Sequence, residues 1–126
     1  MRPRRVVLVV DDQPMTREVV NAMLEHDEVE VHMASSAAAA LETAERVRPD
    51  VVLLDVMMPD MDGFAVCRAL VAAYGADSPR IVMLTGRSDD VARREALAAG
   101  ASGYLVKPFS AMDLFRVVDE EPVHGA

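Results

Sequence analysis

Residues able to do chemistry stand at four comparable places in this chain, each at the end of a short apolar run. Asp11 and Asp12 follow Val6-Val7-Leu8-Val9-Val10, Asp55 follows Val51-Val52-Leu53-Leu54, Thr85 follows Ile81-Val82-Met83-Leu84, and Lys107 closes Gly103-Tyr104-Leu105-Val106. Three carboxylates, a hydroxyl and an ammonium on one rim would make a site for a hard cation and a phosphoryl group. Two carboxylates about 5 Å apart at an effective dielectric near 20 repel by roughly 3 kcal/mol, so such a cluster needs a cation. Mg²⁺ fits, because it takes one or two protein carboxylates, keeps several waters and leaves positions for phosphate oxygen; Mn²⁺ accepts the same oxygen donors. Lys107 supplies further positive charge and is the only lysine among 13 Lys and Arg residues. A compact ammonium suits a small pocket better than a planar guanidinium. Asp55 could then act as a nucleophile toward phosphorus, with Thr85 donating to the new oxyanion, and catalysis would consist mostly of positioning and charge neutralisation. Taken singly, Asp11-Asp12 reads equally well as a helix cap and turn, Thr85 as a β-favouring strand end, and Lys107 as a solvated lysine.

What could bring these residues together is an alternation of short β-branched runs with segments of helical period. The first, third and fourth runs have no polar alternation, as expected of strands buried on both faces of a parallel sheet. Val29-Glu30-Val31-His32-Met33 alternates and reads as an edge strand, and Gly103–Lys107 as a fifth strand. Between them, Val19, Val20, Met23 and Leu24 outline the buried face of a first helix. Ser36 caps a second helix through Ala40, Leu41, Ala44 and Val47, with Pro49 as its stop. A third runs from about Gly63 to Tyr74 with Gly75 as punctuation, and a fourth from near Ser88 to Gly100 with Asp89 and Asp90 in its first turn. Ser110 to Asp113 outlines a capping box for a final helix carrying Leu114, Val117 and Val118. Five βα units with right-handed crossovers predict a three-layer α/β/α sandwich, whose ligand site lies beyond the carboxyl ends of the strands.

Composition agrees. The 126 residues suit one domain, with a core over about 5–119 and an acidic tail over about 120–126. With 20 Val, 19 Ala and a 52% hydrophobic fraction, a core forms without staples, and one Cys closes no internal disulfide. A net charge of −8 disfavours direct nucleic-acid binding and anionic membranes. Apolar stretches are too short for a spanning helix or a signal peptide, so a cytoplasmic protein is expected. His26, His32 and His124 have no ligand spacing for zinc. Cys67 reads as a small packed residue, and the nine Met residues as core filling.

The motifs Val9-Val10-Asp11-Asp12, Leu53-Leu54-Asp55-Val56-Met57-Met58-Pro59-Asp60-Met61-Asp62-Gly63, Leu84-Thr85-Gly86 and Gly100 to Tyr104-Leu105-Val106-Lys107-Pro108-Phe109 resemble the receiver domain of bacterial two-component response regulators. The resemblance spans about Arg5 to Asp119. It implies a flavodoxin-like (βα)5 sandwich of strand order 2-1-3-4-5, an order for which the general rule of ligand placement also holds. It implies Asp55 as phospho-acceptor, Asp12 as a direct Mg²⁺ ligand, Asp11 as a ligand mainly through water, and the Met57 carbonyl completing the protein's share of the metal shell. Lys107 would pair with Asp55 and then with the phosphoryl group, and the Lys107–Pro108 peptide would be cis. Thr85 and Tyr104 would form the switch, read at a face that includes Arg93, Arg94, Phe109, Asp113 and Arg116. The implied partners are a histidine kinase or phosphotransfer protein, a downstream protein or attached output domain, and a homodimer formed on phosphorylation. The domain would signal rather than turn over a substrate, while catalysing its own phosphorylation and dephosphorylation. Gly86, where the resemblance leads one to expect Ala, and Arg87 leave the lifetime of the phosphorylated form open.

Three other readings compete. A phosphatase of the haloacid-dehalogenase type needs Asp-x-Asp-x-Thr after the first strand, where Asp11-Asp12-Gln13-Pro14-Met15-Thr16 misplaces the second acid. A flavodoxin-like flavin carrier would offer its phosphate hydroxyls and amides there, not two aspartates. A receiver-shaped interaction module working without phosphorylation stays as the main alternative.

Overall fold

The β-branched runs pair as one parallel sheet: the first, third and fourth are apolar on both faces, as inner strands require, and helices between successive runs allow the parallel crossovers. The computed structural model describes residues 5–24, 29–56, 62–86, 90–107 and 109–119. Its elements are β1 (Arg5–Val10), α1 (Pro14–Leu24), β2 (Val29–Ala34), α2 (Ala37–Val47), β3 (Val51–Asp55), α3 (Gly63–Tyr74), β4 (Arg80–Thr85), α4 (Asp90–Ala98), β5 (Gly103–Val106) and α5 (Ala111–Asp119). The sheet order is β2-β1-β3-β4-β5, as expected, and every pairing is parallel. Sequence order reverses direction between β1 and β3, which opens a crevice at their carboxyl ends.

Local chemistry sets the helix ends. Ser36 accepts the Ala39 N–H at 3.2 Å as the N-cap of α2. Asp62 does the same for α3, accepting from Phe64 N–H at 2.7 Å. Gly75, at φ 54, ends α3 in a backbone region that glycine enters without strain. At α5 the capping box closes reciprocally: Ser110 Oγ accepts the Asp113 N–H at 3.1 Å, and Asp113 Oδ2 accepts the Ser110 N–H at 3.3 Å. Asp thus serves where Glu or Gln is usual. Ser88 and Asp89 lie outside the described residues, and α4 is described from Asp90 onward.

Two cores sandwich the sheet. Leu8, Val10, Val52, Leu54, Ile81 and Met83 pack against α2, α3 and Ala96 of α4. Val7, Val9, Val51, Leu53, Val82 and Leu84 pack on the other face against Val20 and Leu24 of α1 and Leu114 and Val118 of α5. Each fully buried aliphatic side chain contributes about 1.5–3 kcal/mol relative to exposure. Two expectations need correction. Val19 is 43% exposed rather than part of the buried face of α1, which the i, i+4 pair Val20 and Leu24 supplies. Met is not uniformly core filling: Met83 is buried, but Met33 and Met112 are 46% and 71% exposed, since they lie on an edge strand and on the outer side of α5.

Candidate functional site

Strand periodicity delivers the site. Side chains alternate between faces, so in β1 and β3 the residues after Val10 and Leu54 point to the α1/α5 side, as does the residue after Val106. Those residues are Asp11, Asp55 and Lys107. Lys107 Nζ lies 3.3 Å from Asp11 Oδ2 and 3.5 Å from Asp55 Oδ1, bridging strands β1 and β3. Asp11 is fully buried, Asp55 is 7% exposed, and Lys107 is partly buried. A buried carboxylate costs several kcal/mol unless paired and hydrogen-bonded. For Asp11 the compensation includes Lys107 and the Gln13 N–H, which donates to Oδ1 at 2.9 Å. That turn also starts the chain into α1.

Asp55 is held from below by backbone. The chain leaves β3 with Val56 N–H bonded to Leu84 O at 3.0 Å, and Gly63 N–H returns to Val56 O at 2.9 Å. Gly63 therefore sits against the peptide that carries Asp55. A Cβ at Gly63 would lie 2.1 Å from the Asp55 carbonyl oxygen and 2.9 Å from Val56 Cα, so only glycine permits this approach. The spacing of Asp55 and Gly63 suggests a tight return in sequence; the contact with the Asp55 backbone emerges only from the structure. Met57 and Pro108 lie outside the described residues, and with them the Met57 carbonyl and the Lys107–Pro108 peptide.

Asp11, Asp12 and Asp55 each offer one carboxylate oxygen, all within 4.8 Å of one another. Three carboxylate oxygens gathered this closely are the donor set a hard cation such as Mg²⁺ would take, with water completing its shell. Asp12 is only partly buried, which leaves the cluster open on one side. Thr85 is 6% exposed and ends β4 one residue beyond Leu84, the register partner of Asp55. Alternation from Met83 puts Thr85 on the α2–α4 side of the sheet, the side against which Tyr104 packs.

Among the remaining singled-out residues, Tyr104 accepts hydrogen bonds from Arg93 Nε and Nη2 at 2.9 and 2.7 Å. Arg94 and Arg116 are exposed, whereas Phe109 packs against the α1/α5 core and Asp113 is engaged in the α5 cap. Cys67 is buried and donates to Ala99 O at 3.3 Å, and burial pushes its thiol up to about 11, against a smaller pull from Arg68. His32 pairs at 2.7 Å with Glu30 on β2, away from the acids. His26 and His124 lie outside the described residues.

A parallel sheet of this order with acids and a lysine at its carboxyl rim defines an α/β domain with a candidate cation and phosphoryl site, and comparison with known proteins gives its class. The chain belongs to the response regulator receiver domain family, which it matches over residues 7–119. It is similar to the DNA-binding response regulator MtrA of Mycolicibacterium smegmatis, 39% identical over 111 residues covering 88% of this chain and 47% of that protein. It is also similar to the response regulator MprA of Mycobacterium leprae, 43% identical over 108 residues covering 86% and 46%. The chain thus spans about half the length of the curated relatives it matches. Among solved structures, the chemotaxis protein CheY4 of Vibrio cholerae superposes with a TM-score of 0.84 at 35% identity, covering 90% of this chain and 94% of that one. The protein is therefore a receiver domain of the two-component response regulator type. Among the described residues, no helix is long and apolar enough to cross a membrane.

Proposed function

We propose that this receiver domain takes a phosphoryl group onto Asp55 from a histidine kinase or a phosphotransfer protein. The observation that carries the reading is the convergence of three carboxylates within 4.8 Å, with Lys107 reaching both Asp11 and Asp55. A carboxylate oxygen of Asp55 attacks phosphorus, the P–N bond to the donor imidazole breaks, and its electron pair stays on the imidazole nitrogen. The product is an acyl phosphate. Asp12 directly, Asp11 through water, Asp55 and the Met57 carbonyl would hold Mg²⁺, with Mn²⁺ as a substitute. When bound, the ion supplies charge neutralisation at the acids and at the phosphoryl oxygens. Lys107 pairs with Asp55 before transfer and with a phosphoryl oxygen afterwards, a role for which a lysine held 3.5 Å from the acceptor is suited. The Thr85 hydroxyl donates to another phosphoryl oxygen; its inward movement vacates space for the Tyr104 ring on the same side of the sheet.

The changed surface is the α4–β5–α5 face, through which the domain would signal to a downstream protein, an attached output domain or a second copy of itself. Direct nucleic-acid contact through this domain is not part of the reading, given its net charge of −8. A cytoplasmic setting fits these partners. Incubation with Mg²⁺ and acetyl phosphate tests the proposal by intact mass. One phosphoryl group adds about 80 Da, which should map to Asp55 and be missing from Asp55→Asn. No increment with any phosphodonor would instead favour a module that works without phosphorylation.

A further inference from the structure

We infer that Arg93 is a positioning residue that latches Tyr104 in its outward arrangement and thereby sets how readily the domain leaves its resting state. The inference rests on the switch role proposed above for Thr85 and Tyr104. Tyr104 stands on the edge strand β5, opposite Met83 in register, with its ring half-buried against the α2–α4 core. Its hydroxyl faces α4. Arg93 Nε and Nη2 both donate to that oxygen, at 2.9 and 2.7 Å, and the guanidinium carbon lies 5.2 Å from the ring centroid.

Two donors from one rigid fork fix the direction of the phenol oxygen, whereas a single flexible donor would follow the ring as it swings. Stacking of the cation over the ring holds the ring plane as well. The guanidinium stays charged throughout, its pKa raised first by the bond to Tyr104. Turning the ring inward breaks both hydrogen bonds and the stacking, so these contacts stabilise the outward arrangement alone. An interaction made in one state shifts the equilibrium by its differential strength. Arg93 is exposed and water competes for it, so the bias amounts to a factor of about two to ten.

Ring-labelled tyrosine tests this directly, because the chain has only 2 Tyr residues and Tyr74→Phe assigns the signals. In the unphosphorylated protein, Arg93→Ala should move the Tyr104 signal toward the position it takes with Mg²⁺ and beryllofluoride, a mimic of the phosphoryl group. The same variant should take up phosphoryl from acetyl phosphate about two- to tenfold faster. Arg93→Lys should fall between, and on a Tyr104→Phe background, which keeps only the stacking, Arg93→Ala should add less than it does in the wild type. Arg46→Ala, which removes a cation from another helix, controls for net charge. An unmoved Tyr104 signal overturns the latch, as does equal acceleration in the Tyr104→Phe background or in Arg46→Ala. If the wild type takes no phosphoryl group, the functional reading fails by itself. A displaced Tyr104 signal in untreated Arg93→Ala would then still uphold the latch, and an unmoved one would still overturn it.

Discussion

The carboxyl rim and the α4–β5–α5 edge are built on opposite principles. At the rim, Asp11 and Asp55 are buried, their directions follow from strand alternation, and Lys107 ties β1 to β3. At the edge, Val91, Leu97 and Met112 are 49%, 59% and 71% exposed, and Tyr104 is held by a side chain from solvent. A buried, strand-fixed cluster would need no rearrangement to bind the proposed cation and phosphoryl group. An edge held by solvent-exposed contacts can repack for a fraction of the energy. Stiff chemistry beside a soft output is what a switch requires, since the differential energy released at one must suffice to reorder the other.

The comparison breaks most visibly at Gly63. Ala is the better helix former, yet its Cβ would lie 2.1 Å from the Asp55 carbonyl, so the Asp55 peptide must shift. Gly63→Ala is expected to fold and to keep the α4–β5 edge, while phosphoryl uptake from acetyl phosphate slows about a hundredfold, the scale for misplacing a reacting group by an ångström. Uptake at the wild-type rate would mean that the rim is softer than argued. Lys107→Ala comes next. Removing the cation 3.3–3.5 Å from Asp11 and Asp55 leaves the acids less compensated, so Mg²⁺ should bind a few-fold more tightly by calorimetry. The fold should persist while the Tyr104 ring signal stops responding to phosphorylation. A variant that signals normally would remove Lys107 from the coupling between rim and edge.

Beneath both regions lies the core, where Cys67 provides a titratable probe. Its thiol is raised from 9.0 to about 11 by burial, so the folded state holds a proton that the unfolded state has lost across that interval. Stability is therefore intact below pH 9 and falls as pH rises toward 11, by roughly 2 kcal/mol. Cys67→Ala should lack this slope in urea melts, as should any variant in which the thiol is already solvated. The thiol should also resist alkylation at neutral pH in the folded protein.

How legible each region is in the sequence follows from the same contrast. Unbroken apolar runs at Val7–Val10, Val51–Leu54 and Ile81–Leu84 identify strands buried on two faces, and the residue after such a run is necessarily at a sheet rim. Hence the acids, Thr85 and Lys107 could be named from spacing, and the helix caps at Ser36, Gly75 and Ser110 from residue type. Exposure at the margins was not legible. Whether Val19 or Met33 is covered depends on what another element places over it, and periodicity along one element carries no such information. The Arg93–Tyr104 pair is eleven residues apart, between a helix and a strand, and nothing in either segment alone marks it. Likewise Gly63 suggests a turn, but its contact with the Asp55 carbonyl is a property of the closed loop.

The smallest expected effect tests whether the edge can loosen without disturbing the rim. Ser110 and Asp113 cap α5 reciprocally, only three residues beyond Lys107 in the chain. Ser110→Ala removes the acceptor for the Asp113 N–H and should cost about 1 kcal/mol in urea unfolding at unchanged slope. Asp113→Ala should cost less, because the Ser110 N–H it leaves is exposed to water. In both variants Leu114 and Val118 stay anchored in the α1/α5 core, so Lys107 keeps its position and Mg²⁺ affinity should stay at the wild-type value. A parallel loss of stability and metal affinity would show that α5 holds Lys107 in place, and the boundary between stiff rim and soft edge would then have to be drawn on the far side of that helix.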